Sequence, residues 1–290
     1  MRIAFLGDVV GAPGRRALLQ CLPDLRGPRR VDVVLANVEN TASGSGLLPD
    51  QHKRFAEAGV DGMTLGDHAF RKNKIRSALE SADDLIRPFN LPGTAWGRGA
   101  MTLRKPGLPA VHVITLMGRL FMNGPQAGDP FAALDGWLER LHAQHRDGPP
   151  PVIVVEIHAE ATSEKVALGW HANGRVAAVV GTHTHVPTAD ARVLPRPGPD
   201  PTIPGDVRPG VGGTAYVTDL GMTGPDDSCL GRRVDRVLSF MTRCVPSPFD
   251  VAEGNPHAHG VLIDVDETTG LATAIERYDV AADVGAAPFV

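Results

Sequence analysis

Seven side chains of metal-binding types follow short apolar runs along this 290-residue chain. They are carboxylates, imidazoles and one amide, and no thiolate is among them. This mixture suits Mn, Fe, Zn or Co better than Ca or a structural zinc site built from cysteine. The candidate ligands are Asp8, Glu39, Asn40, Asp67, His158, His183 and His185.

The number of candidate ligands indicates more than one metal ion. One typical zinc site takes about three or four protein ligands, and this set is larger. Two adjacent metals that share a carboxylate would use all of it. A pair of metals about 3.5–4 Å apart is a common device for phosphoester hydrolysis, because it holds both the attacking and the leaving oxygen.

Six short runs rich in Val, Ile and Leu predict the strands that position these residues. The runs barely alternate in polarity, so most of the strands are predicted to be buried on both faces. Helical patterns fall between them, as is typical of an α/β fold. The carboxyl ends of strands in such a sheet line one crevice, where the candidate ligands are expected to meet. The predicted strands are Arg2–Leu6, Val31–Ala36, Val60–Leu65, Val111–Leu116, Val152–Ile157 and Val176–Val180.

Two helices between the strands carry clear boundary signals. The first is predicted from Asp129 to about Gln144, because Asp129 is a good N-cap and Pro130 fits the first helical position. The second is predicted from near Thr162 to Asn173-Gly174, a common helix stop. Both have the lengths of ordinary connecting helices in an α/β fold.

The last third of the chain combines a Pro/Gly-rich segment with a hairpin. Residues 195–213 contain too much Pro and Gly for a regular element, so we predict an exposed loop or lid. Val261–Val265 and Ala272–Tyr278 flank the turn-forming sequence Glu-Thr-Thr-Gly and predict a hairpin. No linker with a full core on each side is visible, so we predict a single domain over residues 1–290.

Composition excludes several classes of protein. Hydrophobic residues make up 42% and charged residues 21%, which is ordinary for a globular chain. The net charge of −4 gives no basic excess for stable nucleic-acid binding. No apolar run reaches the roughly 20 residues of a spanning helix or fits a signal peptide. The three cysteines, Cys21, Cys229 and Cys244, fit reduced thiols, so we expect a cytoplasmic protein without a membrane partner.

Six segments carry a resemblance to the calcineurin-like metallophosphoesterases. Among these enzymes, the chain most resembles the bacterial, YmdB-like branch that acts on 2′,3′-cyclic nucleotides. The segments span residues 7–225, and HAEATSEK together with GTHTHVPTAD is highly specific. They are GDVVGAPGRR, ANVENTASGSGL, LGDHAF, EIHAEATSEK, GTHTHVPTAD and GGTAYVTDLGMTGP. The resemblance implies a four-layer αββα sandwich with its site at the strand carboxyl ends.

The resemblance also implies a role for each candidate residue. It makes Glu39 the ligand that bridges two metals. It places Asp8, Asn40 and His185 on the first metal, and Asp67, His158 and His183 on the second. The family's Gly-Asn-His triplet corresponds here to Gly66-Asp67-His68, and its histidine is thought to protonate the leaving oxygen or to stabilise the phosphorane. His68 is therefore the expected catalytic residue, while the substrate-binding residues stay unassigned.

Four departures from the family pattern bear on these roles. Asp67 stands where the family has Asn, which adds a negative charge to the site. Val10 stands where the wider superfamily has a ligating histidine, so Asn40 is expected to take that place. Phe70 replaces a usual Trp, and the Pro/Gly-rich segment is an insert that could reshape the substrate entrance.

Several other polar residues are expected to have structural roles outside the predicted metal site. Glu160 and Glu164 are expected to be favourable acidic groups at a helix N-terminus. Arg15 and Arg119 could contact phosphate, but ion pairs or a solvated face are the preferred interpretation. The histidines of NPHAHG, His257 and His259, resemble a metal pair only superficially and lie outside the matching segments, so we interpret them as loop residues.

The expected function is metal-dependent hydrolysis of a phosphodiester, most simply a 2′,3′-cyclic nucleotide, by a hydroxide that bridges two divalent transition metals. Mn or Fe is expected, and Zn is possible. Two alternatives stay open: a low-turnover regulatory or nucleotide-binding protein on the same fold, which Asp67 favours, and a phosphomonoesterase. A homo-oligomer is suggested only by the resemblance.

Overall fold

The computed structural model describes residues 1–145, 148–197, 207–208 and 213–283. Most of the strands are short, apolar runs, as the composition of the chain requires. In chain order the strands are β1 (Arg2–Leu6), β2 (Asp8–Val9), β3 (Val33–Asn37), β4 (Gly62–Thr64), β5 (Leu85–Ile86), β6 (Ala100–Leu103), β7 (Val111–Met117), β8 (Val152–His158), β9 (Ala178–Thr182), β10 (Arg192–Val193), β11 (Arg196–Pro197), β12 (Val207–Arg208), β13 (Ala215–Val217), β14 (Met222–Pro225), β15 (Pro256–Asp266) and β16 (Leu271–Ala281).

Helices connect many of these strands. The α-helices of the described ranges are α1 (Gly11–Arg26), α2 (Pro49–Ala58), α3 (Arg76–Ser81), α4 (Pro130–Gln144), α5 (Thr162–Ala172) and α6 (Val234–Arg243), and a short 3-10 helix covers Asn73–Ile75. The side chain of Asp129 caps α4 by accepting hydrogen bonds from the backbone N–H groups of Phe131 and Ala132, at 2.8 and 3.2 Å. This confirms the predicted start of that helix. No helix in the described ranges has the length and apolar character needed to span a membrane.

The described strands form two large sheets. The first has the order β2-β14-β15-β1-β3-β4-β5, with β16 paired to β15. Within it β1, β3, β4 and β5 run parallel to one another, and β15 is antiparallel to β1. The second has the order β10-β13-β9-β8-β7-β6, in which β7, β8, β9 and β13 are parallel. The carboxyl ends of two parallel blocks are therefore available to build one site.

The core lies in three apolar layers that define the order of helices and sheets. One layer packs the first sheet against α1, α2 and α3 through residues such as Leu18, Phe55 and Leu79. A second joins alternate residues of both sheets, such as Phe5 and Val154. A third packs the second sheet against α4 and α5. The predicted αββα sandwich is confirmed, and the side chains are buried on both faces of the central strands.

Most predicted elements are found, with shifts of up to two residues at several ends. The second, third and sixth runs begin two residues later than predicted, at Val33, Gly62 and Ala178. The hairpin is longer than predicted, because β15 begins at Pro256. His257 and His259 therefore lie in a strand, and interpreting them as loop residues was wrong. The apolar alternation of the hairpin begins only after these histidines, which is why the sequence pattern missed them.

The Pro/Gly-rich segment contains more regular structure than predicted. Within residues 195–213, Arg196–Pro197 and Val207–Arg208 pair as a short antiparallel ribbon. Residues 198–206 and 209–212 lie outside the described ranges, and so does most of the predicted loop or lid. The single domain over residues 1–290 stays a prediction.

Candidate metal centre

All seven predicted ligands come together where strands of the two sheets end. Those from the first sheet follow β1, β3 and β4, and those from the second end β8 or follow β9. Side-chain contacts link neighbouring members of the set across the sandwich, such as Asn40 with His185, which are 145 positions apart. In order they are Asp8, Glu39, Asn40, Asp67, His158, His183 and His185.

Four of these residues form a tight cluster. Glu39, Asp67, His158 and His183 each present a ligand atom, and these atoms lie within 4.8 Å of one another. His158 Nε2 is at the centre, 3.0 Å from Asp67 Oδ1, 3.3 Å from Glu39 Oε1 and 3.1 Å from His183 Nδ1. Two carboxylates and two imidazole nitrogens in this arrangement fit one transition-metal ion.

The other three candidate ligands lie next to one another beside Glu39. His185 Nε2 lies 3.8 Å from Asp8 Oδ1 and 3.2 Å from Asn40 Nδ2, and Asn40 Nδ2 donates to Glu39 Oε1 at 3.3 Å. The amide of Asn40 thus faces this group with its nitrogen, whereas a metal ligand needs the oxygen. A half-turn of the amide would exchange the two atoms and bring its oxygen to Glu39 Oε1, which can only accept a hydrogen bond. That orientation is favourable only with a cation between the two oxygens.

His68 borders the cluster without entering it. Its Nδ1 lies 2.7 Å from Asn40 Oδ1, its backbone N–H donates to Glu39 Oε2 at 3.1 Å, and its Nε2 is 3.6 Å from Asp67 Oδ2. The side chain is 24% exposed and lines a cavity. Burial lowers the pKa of His68, and Glu39 and Asp67 oppose that effect. The contact with Asn40 thus holds the ring at Nδ1, and Nε2 is available to a molecule bound in the cavity.

The electrostatics of the cluster fit a cation. Asp8 is fully buried, and in the part of the chain that the structure describes its Oδ1 has no hydrogen-bond partner. Burial raises the pKa of Asp8 to about 7, against the opposing effect of His158. Burial also disfavours the His158 imidazolium, but Glu39, Asp67 and Asp8 outweigh it and raise the pKa of His158. Buried carboxylates that lack compensating positive charge are stabilised by bound metal ions.

The turn that carries His183 and His185 is held in an unusual backbone conformation. Both histidines have positive φ, at 96° and 64°, a conformation that non-glycine residues adopt only when surrounding contacts enforce it. Asp219 supplies such contacts, because its Oδ2 accepts from both the backbone N–H and the hydroxyl of Thr184, at 3.2 and 2.8 Å. Lys165, fully buried, pairs with the same oxygen at 2.7 Å. Sequence reasoning did not identify Asp219 or Lys165.

Glu156 is a second important residue that sequence reasoning missed. It is fully buried in β8, and Asn37 Nδ2 and the Thr182 hydroxyl both donate to its Oε1 at 2.7 Å. Asn37 Oδ1 in turn accepts from the backbone N–H of Glu39 at 3.1 Å, and Thr182 Oγ1 lies 2.9 Å from His158 Nδ1. One carboxylate therefore orients a candidate ligand in each sheet. A glutamate inside the apolar run VIVVEIH was the available signal.

Glycine is required at position 66 because the cluster is so closely packed. A Cβ there would lie 2.2 Å from His158 Nε2, far inside contact distance. The backbone N–H of Gly66 also donates to Glu39 Oε2 at 2.6 Å. The first residue of the Gly66-Asp67-His68 triplet thus lets the strand end approach the imidazole.

The remaining sequence candidates divide into those near the site and those with other partners. Glu160 Oε2 lies 3.3 Å from His183 Nε2, so Glu160 contacts the cluster and does more than precede a helix. Glu164 accepts backbone hydrogen bonds from Arg119 and Leu120. Arg15 donates to the Thr41 carbonyl at 2.6 Å, and Arg119 lies 3.7 Å from Asp129. Arg119 thus forms an ion pair, as preferred, whereas the half-buried Arg15 bonds a backbone carbonyl instead of forming an ion pair or a solvated face.

A cavity of about 670 Å³ opens over the cluster. Glu39, Asn40, His68, His183 and His185 line its polar side. Its other wall is largely apolar and comes from α6 and the segments that flank it, through Leu230, Val237, Met241 and Phe249. The cavity has the size of a typical small-molecule site.

The sandwich, with a cluster of metal-capable residues at its strand ends, is a fold of the metallophosphoesterase type. The family model described as "YmdB-like protein" matches residues 4–278. A 2′,3′-cyclic-nucleotide 2′-phosphodiesterase of Bacillus subtilis is 39% identical over 277 residues, which cover 96% of each chain. The chain therefore belongs to the YmdB-like family, as its motifs indicated.

Solved structures of similar chains agree with this assignment. A hypothetical protein from Thermus thermophilus is 38% identical with a TM-score of 0.82, and the match covers 98% of this chain and 100% of that one. A crystal structure titled as a novel phosphatase from Mycoplasma pneumoniae is 29% identical with a TM-score of 0.83, covering 98% and 94%. The expectation of a hydrolase in the phosphodiesterase class is confirmed.

Proposed function

We propose that this protein is a metal-dependent phosphodiesterase that hydrolyses 2′,3′-cyclic nucleotides. The observation that carries the proposal is the cluster of Glu39, Asp67, His158 and His183 with three further candidate ligands beside it, under a cavity of about 670 Å³. The Bacillus subtilis relative, 39% identical, bears the name of that activity. Two divalent transition-metal ions are the proposed cofactors, with Mn or Fe preferred to Zn.

Each residue of the cluster has a proposed place in binding those ions. Glu39 would contact both ions, Asp8, Asn40 and His185 would hold one, and Asp67, His158 and His183 would hold the other. When bound, the two ions polarise the phosphate and activate water for attack on phosphorus. The protein residues fix the positions of these groups, and the buried network through Glu156 keeps His158 Nε2 directed at them.

His68 is the proposed proton donor. Opening a 2′,3′-cyclic phosphate leaves a negative charge on a ribose oxygen, which departs more readily when it receives a proton. The Nε2 edge of His68 is the accessible acid–base group next to the cluster, because Nδ1 is engaged by Asn40. A group in this position typically contributes about 10²–10⁴-fold to the rate.

The apolar wall of the cavity is the proposed contact for the nucleoside. A phosphate over the metal ligands would leave the ribose and base directed along the cavity, toward Leu230, Met241 or Phe249. Such a wall favours a flat, weakly polar base without selecting strongly among bases. Homo-oligomer formation and cytoplasmic placement stay predictions.

A substrate panel tests the proposed function. Turnover of 2′,3′-cyclic nucleotides is expected to exceed that of phosphomonoesters and of an aryl phosphodiester under the same metal-loaded conditions. Faster hydrolysis of monoesters would identify a phosphomonoesterase on this fold. Tight nucleotide binding without turnover, in protein that retains its metals, would identify a regulatory protein instead.

The carboxylate of Asp67 is expected to limit activity near neutral pH. It points into the cluster and adds a negative charge close to where the substrate phosphate must bind. Asp67→Asn removes that repulsion, so kcat/KM at pH 7 and saturating Mn is expected to rise by about fivefold, equivalent to about 1 kcal/mol of screened charge interaction. The same change should weaken retention of one metal, which elemental analysis after dialysis measures.

Metal content decides what an unexpected result would mean. A variant that keeps both metals and loses activity would show that the native carboxylate has a positive role in turnover. Unchanged metal retention would contradict the placement of Asp67 among the ligands.

A further inference from the structure

A second group of histidines and carboxylates lies at the edge of the first sheet, outside the seven ligands above. Asp226, His257 and His259 each present a ligand atom, and these atoms lie within 4.8 Å of one another. Asp279 joins them from β16, where it is directly opposite His259 in the strand register. His257 and His259 are two apart in β15, so both side chains lie on the same face of the sheet.

The strands hold this group in a fixed arrangement. β15 pairs with β16 along its length and with β14 through Gly224 opposite His257. Asp226 follows β14 directly, and its backbone N–H donates to the Asn255 carbonyl at 3.0 Å. Three paired strands therefore supply all four side chains, without a contribution from a loop far away in sequence.

His259 is buried with one ring nitrogen unsatisfied. The residue is 5% exposed, and its Nε2 lies 3.0 and 3.3 Å from the two oxygens of Asp226. Nε2 then carries the proton in the neutral ring, which leaves a lone pair on Nδ1. Within the described ranges Nδ1 has no hydrogen-bond partner, and the nearby Asp279 Oδ1 is 3.6 Å away.

We propose that His257, His259 and Asp279 bind a divalent transition-metal ion, with Asp226 orienting His259. The lone pair of His259 Nδ1 and the carboxylate of Asp279 face each other, an arrangement that a cation between them would stabilise. His257 Nδ1 lies 2.7 Å from the same Asp279 Oδ1, so both imidazoles converge on one oxygen. A carboxylate that accepts the distal N–H of a ligating histidine is the usual support of such a site.

The distances are close to those of a tetrahedral zinc site. Zn–N and Zn–O bonds of about 2.1 Å at tetrahedral angles put two ligand atoms about 3.4 Å apart. The 3.6 Å between His259 Nδ1 and Asp279 Oδ1 needs almost no adjustment. The His257–Asp279 pair would open by about 0.7 Å to reach the same separation. The Asp226 and Asp279 side chains, 35% and 45% exposed, leave a path for the ion from solvent.

An ordinary ion pair does not account for this group. His52 with Asp84 is a simple pair at 2.8 Å, and His171 meets the single carboxylate of Asp135 at 2.9 Å, which Arg175 also contacts. Here the two imidazole rings stack at 5.6 Å with an angle of 15° between their planes. Two protonated rings at that separation would repel each other, whereas two neutral rings on one ion would not.

Zinc titration of the Mn-loaded enzyme tests the proposal. Calorimetry is expected to detect one additional Zn²⁺ per chain, while elemental analysis shows that Mn is not released. His257→Ala and Asp279→Ala should each weaken this event by at least about tenfold, and Asp226→Asn by about 10–100-fold. These three residues are partly exposed, so their variants should keep the fold, which the melting temperature and the phosphodiesterase activity verify.

His171→Ala serves as the matched control, because it removes a histidine that pairs with an aspartate elsewhere. The control should retain the additional zinc. Absence of zinc uptake by the wild-type enzyme or uptake only with release of Mn would overturn the proposal. So would a zinc affinity of His257→Ala and Asp279→Ala equal to that of the wild type.

Discussion

Replacing His68 with alanine is expected to lower kcat for a 2′,3′-cyclic nucleotide by about 10²–10⁴-fold, the usual contribution of a general acid. Metal content should stay near that of the wild type, because His68 borders the ligand cluster and its side chain is not needed to complete it. Activity and elemental analysis of the same samples measure both quantities.

The choice of leaving group separates proton donation from positioning. A nitrophenolate departs without a proton, so the loss caused by His68→Ala should shrink with a nitrophenyl phosphodiester. Burial lowers the pKa of His68, and the acid form disappears as pH rises through that lowered value. The advantage of the wild type over the variant should therefore narrow as pH rises. Equal losses on good and poor leaving groups would contradict proton donation.

Thr182→Val is expected to weaken metal binding or activity by about 10–100-fold, as loss of a residue that supports a metal ligand usually does. Thr182 Oγ1 donates to Glu156 and lies 2.9 Å from His158 Nδ1. Without the hydroxyl, the His158 proton on Nδ1 loses its acceptor, and the tautomer with the proton on Nε2 becomes competitive. That tautomer offers no lone pair to a metal beside Glu39 and Asp67.

Thr115→Val is the matched control for this prediction. Thr115 is also fully buried in a strand, and its hydroxyl donates to the other oxygen of Glu156 at 2.8 Å. Both variants leave Glu156 short of one hydrogen bond, which costs about 1–3 kcal/mol of unfolding free energy in each. Only Thr182 contacts a candidate ligand. Equal effects of both variants on metal affinity would contradict the orienting role.

The fold was largely predictable because its central strands are apolar on both faces. Runs such as Val111–Leu116 and Val152–Ile157 have few alternative structures, and five of the six predicted runs, all except Val111–Leu116, are followed by the polar candidate residues. The ligands themselves were found by type and by resemblance, and the structure brings all seven together. Some strands begin later in the structure than predicted, because apolar residues precede the hydrogen-bonded ladder, as they do before Ala178.

The supporting contacts of the site could not be predicted, because they join residues far apart in sequence. Glu156 meets Asn37 across 119 positions, and Lys165 meets Asp219 across 54. Each is a polar side chain whose partner is visible only in the folded chain. The strand position of His257 and His259 was missed for a different reason. Their strand begins with Pro and His, and its apolar pattern starts later.

Turnover is expected to depend on a metal pair held by the residues around Glu39. Elemental analysis of the purified enzyme is expected to find about two transition-metal ions per chain at this centre. Chelation should abolish hydrolysis of 2′,3′-cyclic nucleotides, and added Mn should restore it. Full activity in a sample shown to be free of metal would contradict a metal-dependent mechanism at this centre.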